Sequence, residues 1–149
     1  MTRTTEIRRA AADDAESIAA ILRGMGPENV GLAGPFDAER ARNWLKRLGD
    51  DGAIFLACEG SIPMAFGALD FDTAEPETGT LGVWVLPDHR RRGLATDIAD
   101  EVLAFARDRG YKRIRGRLPE GNEPALSFLS AIGAMVPLRN PSMTFELPL

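Results

Sequence analysis

The fold class this sequence predicts is α/β or α+β with a mixed sheet, and three observations predict it. Apolar residues recur at helical spacing in segments 15–25, 38–48, 94–105 and 125–132. Runs with strand character lie at 53–58, 64–71, 80–86 and 113–118. The two kinds of segment interleave along the chain, which is the pattern of helices laid against a sheet.

The elements follow in order. Glu6 to Arg9 can form a short first strand. Asp13, Asp14 and Glu16 place negative charge at a helix start, where the dipole favours it. Ala15, Ile18, Ala19, Leu22 and Met25 form that helix's inner stripe, and Gly24 and Gly26 end it. Asp37 can cap a second helix with Ala38, Ala41, Leu45 and Leu48 inside and Gly49 after it. Gly31, Gly34, Pro27 and Pro35 add turn residues to the stretch between these helices. Ala53–Cys58 and Met64–Phe71 read as strands joined at Glu59-Gly60-Ser61, with Pro63 near the start of its strand because it cannot donate to a ladder. Asp72–Gly79 is a polar loop and Thr80–Leu86 a further strand. The clearest helix is Leu94–Arg109, with Leu94, Ile98, Val102 and Phe105 on one face and Gly110 after the end. Arg113–Leu118 is a strand, and Asn122 opens a last helix with Ala125, Leu126, Leu129 and Ile132 inside. Met135–Leu138 and Met143–Leu147 are candidate closing strands.

Composition narrows the classes of function. The chain has 149 residues, 44% hydrophobic and 27% charged, which predicts one globular domain over 1–149. A formal net charge of -4 disfavours general nucleic-acid binding. No apolar run approaches the roughly 18 residues of a membrane span, and the N-terminus has no secretory pattern. The expectation is a cytoplasmic protein that works neither on nucleic acid nor in a membrane. Cys58 is the only cysteine, so an internal disulfide is excluded, and its apolar surroundings predict a buried, inert thiol. With His89 the only histidine, no metal site is expected.

The chemistry is concentrated in Val83-Trp84-Val85-Leu86-Pro87-Asp88-His89-Arg90-Arg91-Arg92-Gly93-Leu94-Ala95-Thr96, where a strand runs through a turn into an amphipathic helix. The first turn of a helix has amide N–H groups without internal partners, and the dipole is positive there. Such an end is suited to a phosphate. Gly93 and Ala95 keep the loop thin, Arg90, Arg91 and Arg92 add cationic donors, and Thr96 adds a hydroxyl. The physical reading is a pyrophosphate cradle. No Gly-Lys-Ser/Thr follows the glycine and the G-x-G-x-x-G spacing is missing, so this is neither a Walker loop nor a dinucleotide fingerprint.

Arg90-Arg91-Arg92-Gly93-Leu94-Ala95 resembles the diphosphate loop of the GCN5-related N-acetyltransferases, Arg/Gln-x-x-Gly-x-Gly/Ala. Val85-Leu86-Pro87-Asp88-His89 is similar to the strand end before that loop, and Gly121–Ala125 and Ile132-Gly133-Ala134 are similar to the family's later Asn-x-x-Ala helix. The resemblance covers about Thr80 to Ala134, and more weakly Ile7 to Asp14. It implies a mostly antiparallel mixed sheet of six to seven strands with a central parallel pair that splays, flanked by about four helices. It implies that acetyl-CoA lies in that wedge against the backbone of Val83, Trp84 and Val85, with its pyrophosphate on Arg90 to Thr96 and its pantetheine arm near Asn122. A backbone N–H would polarise the thioester carbonyl, and an amine would attack directly without an acyl-enzyme.

Two family features are changed. The family's tyrosine acid, seven residues after the asparagine, is replaced by Leu129, and the aromatic after the last glycine by Ala134. Tyr111, the only tyrosine, stands at the other end of the preceding strand. Candidate bases are Glu75, Glu77, Asp70 and Asp72, with Glu77 placed first. His89 reads as a loop residue before a base, and Trp84 as core or pocket wall before a recognition device. Arg113, Arg115 and Arg117 share one strand face; solvent is their default environment, and an anionic acceptor or acidic partner surface is the alternative. The expected activity is acetyl transfer to a small primary amine or peptide amine, with a homodimer as a family-level expectation. The rivals are a catalytically silent CoA-binding sensor and a transferase of longer acyl groups.

Overall fold

A computed structural model describes residues 5–25, 37–90, 93–117 and 144–149, with the backbone alone at 117 and 144–146. Among the described residues six strands form one sheet in chain order: β1 (Thr5–Arg9), β2 (Ala53–Glu59), β3 (Ile62–Phe71), β4 (Thr78–Val85), β5 (Arg113–Arg117) and β6 (Thr144–Pro148). Every neighbouring pair is antiparallel except β4–β5, which is parallel. A parallel pair needs a crossover, and the helix α3 (Leu94–Asp108) supplies it. Among the described residues there are two further α-helices, α1 (Ala15–Gly24) and α2 (Ala38–Leu48). The expected last helix from Asn122 and the strand at 135–138 lie outside the described residues.

Residue alternation assigns the two faces. In β3, Ala65 and Leu69 pack under α3 with Leu94, Ile98 and Val102, while Phe66 and Ala68 pack under α1 and α2 with Ile18, Leu22, Ala41 and Leu48. Both faces are covered, so Met64 to Leu69 is a continuous buried run instead of an alternating one. Gly67 is the point of closest approach: a Cβ there would collide with the Ile98 methyl and touch Val102. That glycine lets α3 lie directly on the sheet.

Local chemistry explains the helix starts. Asp37 is extended and its Oδ1 accepts from the Arg40 amide at 2.9 Å, an N-cap as the sequence suggests. Ahead of α1, a single 3-10 turn (Ala12–Asp14) stands where a first α-turn was expected. Asp14 is buried there, its Oδ2 accepting from the Ala11 amide at 2.8 Å and both oxygens accepting from Arg8 at 2.6 and 2.8 Å. The guanidinium of Arg8 holds the Asp14 carboxyl below the usual carboxylate range against the opposing effect of burial.

Candidate active site

The loop after β4 begins with a 3-10 turn at Pro87–His89 and meets α3 at Gly93. Gly93 has φ 77° and ψ 7°, the left-handed region, and a Cβ there would meet nothing within 4 Å. The glycine is therefore required by backbone conformation and not by crowding. As N-cap it brings no side chain to the first amides of α3, which leaves that end shaped for an external anion. Leu94 sends its side chain into the core, so it can offer a ligand only its backbone, whereas Thr96 is exposed. Arg91 and Arg92 lie outside the described residues, as does Asn122. Arg90 folds back, its Nε donating to the Val85 carbonyl at 3.3 Å, and so ties the loop to the end of β4.

Among the described residues the parallel register with β5 runs from Thr78↔Arg113 to Leu81↔Gly116, and β4 continues to Val85; the chain after 117 lies outside the described residues until 144. The Leu86 amide donates to the Met64 carbonyl at 3.0 Å, so Leu86 faces β3. In a strand the backbone groups of alternate residues point the same way. Trp84 and Gly82 therefore also turn their amides and carbonyls to β3, and Val83 and Val85 turn theirs to the β5 side. The Arg90 bond to the Val85 carbonyl agrees with that direction. Of the three strand residues expected to line a wedge, Val83 and Val85 turn backbone to the β5 side, and Trp84 turns its side chain to the α1/α2 face; the other wall of the expected wedge lies outside the described residues.

Glu77 is not brought to this place. It precedes β4, is exposed, and its carboxylate pairs with Lys112 at 3.1 Å. At about 3.3 Å per strand residue it lies roughly 20 Å from Val83. It stands at the start of β4, at the end of that strand away from Gly93. Glu75 is likewise occupied, pairing with Arg115 at 2.9 Å. Tyr111 is buried and its hydroxyl donates to the Asp51 carbonyl at 2.7 Å, which makes it a packing residue. Arg113 reaches Thr78 Oγ1 at 3.4 Å, and the Arg117 side chain lies outside the described residues. Cys58 is half-buried in β2, and burial pushes its thiol up, away from the reactive thiolate.

The sequence reading missed an aromatic cluster beside the wedge. Trp84 stacks on Phe66 with centroids 4.8 Å apart and planes 22° apart, and Trp44 of α2 meets both edge-on at 5.9 and 6.0 Å. The Trp44 indole donates to Asp70 Oδ2 at 3.1 Å, and Arg47 grips both Asp70 oxygens at 2.8 and 2.6 Å. Burial raises the Asp70 carboxyl most strongly, yet Arg47, the Phe71 amide and Trp44 together hold it below its ordinary value. Trp44 was legible as the residue three after Ala41 and four before Leu48 on the inner stripe. A separate groove of about 490 Å³ lies among Arg9, Arg42, Lys46 and Ile54, at the opposite end of the sheet from Gly93.

Residues 16–134 match the sequence profile of the Acetyltransferase (GNAT) family. The chain belongs to that family. Among curated proteins, none matches the sequence significantly. Solved GNAT-like structures share the fold at low identity. One is yncA from Salmonella typhimurium with its cofactor acetyl-CoA: TM-score 0.85, 15% identity, 97% of this chain and 94% of that one covered. Another is the ribosomal-protein-alanine N-acetyltransferase of Brucella melitensis, with 0.84, 16%, 97% and 99%. A third is the phosphinothricin acetyltransferase of Sinorhizobium meliloti in complex with acetyl-CoA, with 0.82, 17%, 98% and 89%. The GNAT fold, the mixed sheet and its one parallel pair are thus as the loop motif implied. Among the described residues no group of metal-ligating side chains is found, and no helix is long and apolar enough to cross a membrane.

Proposed function

We propose that this GNAT domain binds acetyl-CoA and transfers the acetyl group to an amine by direct attack. The observation that carries the reading is the end of β4. Val83 and Val85 turn backbone groups to the β5 side, beyond the described pair Leu81↔Gly116, on the strand that leads into the left-handed Gly93 and the N-terminus of α3. In this reading an extended ligand arm pairs with that backbone, and a diphosphate suits the helix end. CoA carries both.

In this reading the first amides of α3 and the guanidinium of Arg90 hold the diphosphate, with Arg91 and Arg92 following in sequence. An N–H of Val83 or Val85 donates to the thioester carbonyl oxygen and stabilises the charge that develops there. A neutral amine forms the new C–N bond as the C–S bond breaks, and the proton lost by nitrogen ends on the CoA thiol. No acyl-enzyme is needed, and the half-buried Cys58 in β2 is not placed for one. The acceptor class is a small primary amine or a peptide amine. The Brucella and Sinorhizobium proteins, named for a protein alanine and for phosphinothricin, illustrate the two kinds. A cytoplasmic setting, where acetyl-CoA is available, fits the same reading.

A second reading, a silent CoA sensor, is favoured by two placements: Glu77 lies at the wrong end of β4 and the Tyr111 hydroxyl is committed to Asp51. Free-thiol release from acetyl-CoA across a panel of amines separates the two. Amine-dependent release supports transfer; saturable CoA binding without release from any amine supports the sensor.

A further inference from the structure

The groove at the end of the sheet away from Gly93 is built from three stretches of chain: residues 9–12 at the end of β1, the later half of α2, and the turn from α2 into β2. Its volume of about 490 Å³ falls among small-molecule sites, which run from about 300 to 1,000 Å³. Leu45, Leu48 and Ile54 give it an apolar floor. Gly52 seats the turn so closely that a Cβ there would collide with the Leu69 carbonyl and the Leu48 side chain, which fixes that wall.

Charge sets this groove apart. Arg9, Arg42 and Lys46 line it, and no carboxylate does. Asp13, Asp50 and Asp51 adjoin lining residues in the chain but are not among them. In a chain of net charge -4 this is a local reversal of sign. Arg9 is already employed: its guanidinium donates to the Gly49 and Gly52 carbonyls at 3.4 and 3.3 Å, so two acceptors of the turn are turned to a cation. Arg42 and Lys46 are different. Among the described residues neither has a hydrogen bond or ion pair, whereas Arg47 of the same helix grips Asp70. They stand four residues apart, which makes them neighbours on the helix surface, where like charges repel. A bound anion relieves that repulsion and gives both heads a partner. Asn43, between them in sequence, lines the same groove and adds an amide donor.

We propose that this groove is a second ligand site that takes a phosphate monoester. The phosphate lies between the Arg42 guanidinium and the Lys46 ammonium, both suited to its oxygens, and the organic body rests on Leu45, Leu48 and Ile54. A compact dianion fits better than an extended acidic peptide, because the two unpaired cations are adjacent and the groove is bounded by chain on three sides. The site is remote from the proposed CoA position and stands or falls without it.

Phenyl phosphate is the probe. In ¹H–¹⁵N spectra of the full chain with CoA in excess, so that the diphosphate loop is occupied, it shifts the amides of Asn43, Gly49 and Gly52 saturably. If CoA fails to bind, the same three amides are read without it. Inorganic phosphate shifts them more weakly, since it covers none of the floor. Arg42→Gln with Lys46→Gln weakens phenyl phosphate binding by about tenfold or more, through loss of charged hydrogen bonds. Both residues are exposed, so the double variant keeps its fold, which its unchanged spectrum elsewhere verifies. The proposal is overturned by absence of saturable shifts, by shifts confined to residues around Gly93, or by unchanged affinity in the double variant. Inorganic phosphate binding as tightly as the ester overturns it too, as does a hexaglutamate peptide saturating these amides at lower concentration.

Discussion

Two carboxylates carry structural tension of different kinds. Asp14 is buried between the Ala11 amide and the Arg8 fork, and Asp70 joins Trp44 to Arg47. Both are held below their ordinary pKa. A lowered folded-state value contributes stability that is complete above the unfolded value, near about 4, and is lost as pH falls through the folded one. Melting temperature therefore falls as the solution is acidified below about pH 4. Asp70→Asn flattens that fall while lowering stability at neutral pH, since Arg47 and Trp44 lose a charged acceptor. A pH profile identical to the unaltered protein's would show that Asp70 contributes nothing. Exposure of Arg47 to solvent keeps the effect modest. Glu77 shows the limit of reading residues singly: the sequence places it beside the central strand, and nothing local reveals that it stands at the end away from the wedge.

At the scale of elements, α3 and its loop were the most legible parts. A long apolar stripe, a glycine before it and another after it are local signals, and the helix found, Leu94–Asp108, ends one residue before the expected Arg109. Strand limits were less legible. β4 begins at Thr78 and not Thr80, because Thr78 and Gly79 read as loop residues but are buried by pairing with β5 and β3. β3 begins at Ile62 with Pro63 inside it, where the register shifts between Ala57 and Cys58 on β2. The expected splay of β4 from β5 came from family resemblance alone, and the chain that would form it lies outside the described residues. The Trp44–Trp84–Phe66 cluster joins three elements and is created by packing alone. α3's seat depends on Gly67, whose missing side chain admits Ile98. Gly67→Ala overpacks that contact and costs about 1–3 kcal/mol, read as a lower midpoint in urea with an unchanged slope. A midpoint within error of the original would mean that α3 shifts freely on the sheet.

Across the whole molecule, the two faces of the sheet divide the work. α3 covers one face and presents its N-terminus at the end of β4, while α1 and α2 cover the other and set the aromatic wall beside the same end. The parallel pair β4–β5 is central to this, since the crossover that creates it is α3 and carries the helix N-terminus to the end of β4. In the proposed reading the cofactor lies at the end of β4 beside α3, with the sheet between two hydrophobic cores as the rigid support. The far groove near Arg42 and Lys46 takes no part in this arrangement.

Calorimetric titration of the purified protein with CoA reaches this arrangement at its foundation. Saturable binding is expected, weakening as salt is raised. Arg90→Ala lowers the affinity by about 1.5–3 kcal/mol through loss of a charged hydrogen bond. Gly93→Ala lowers it too, because a left-handed conformation costs an alanine about 1–2 kcal/mol. No saturable heat at millimolar CoA would contradict the assignment of the α3 N-terminus and the β4 edge as a CoA site.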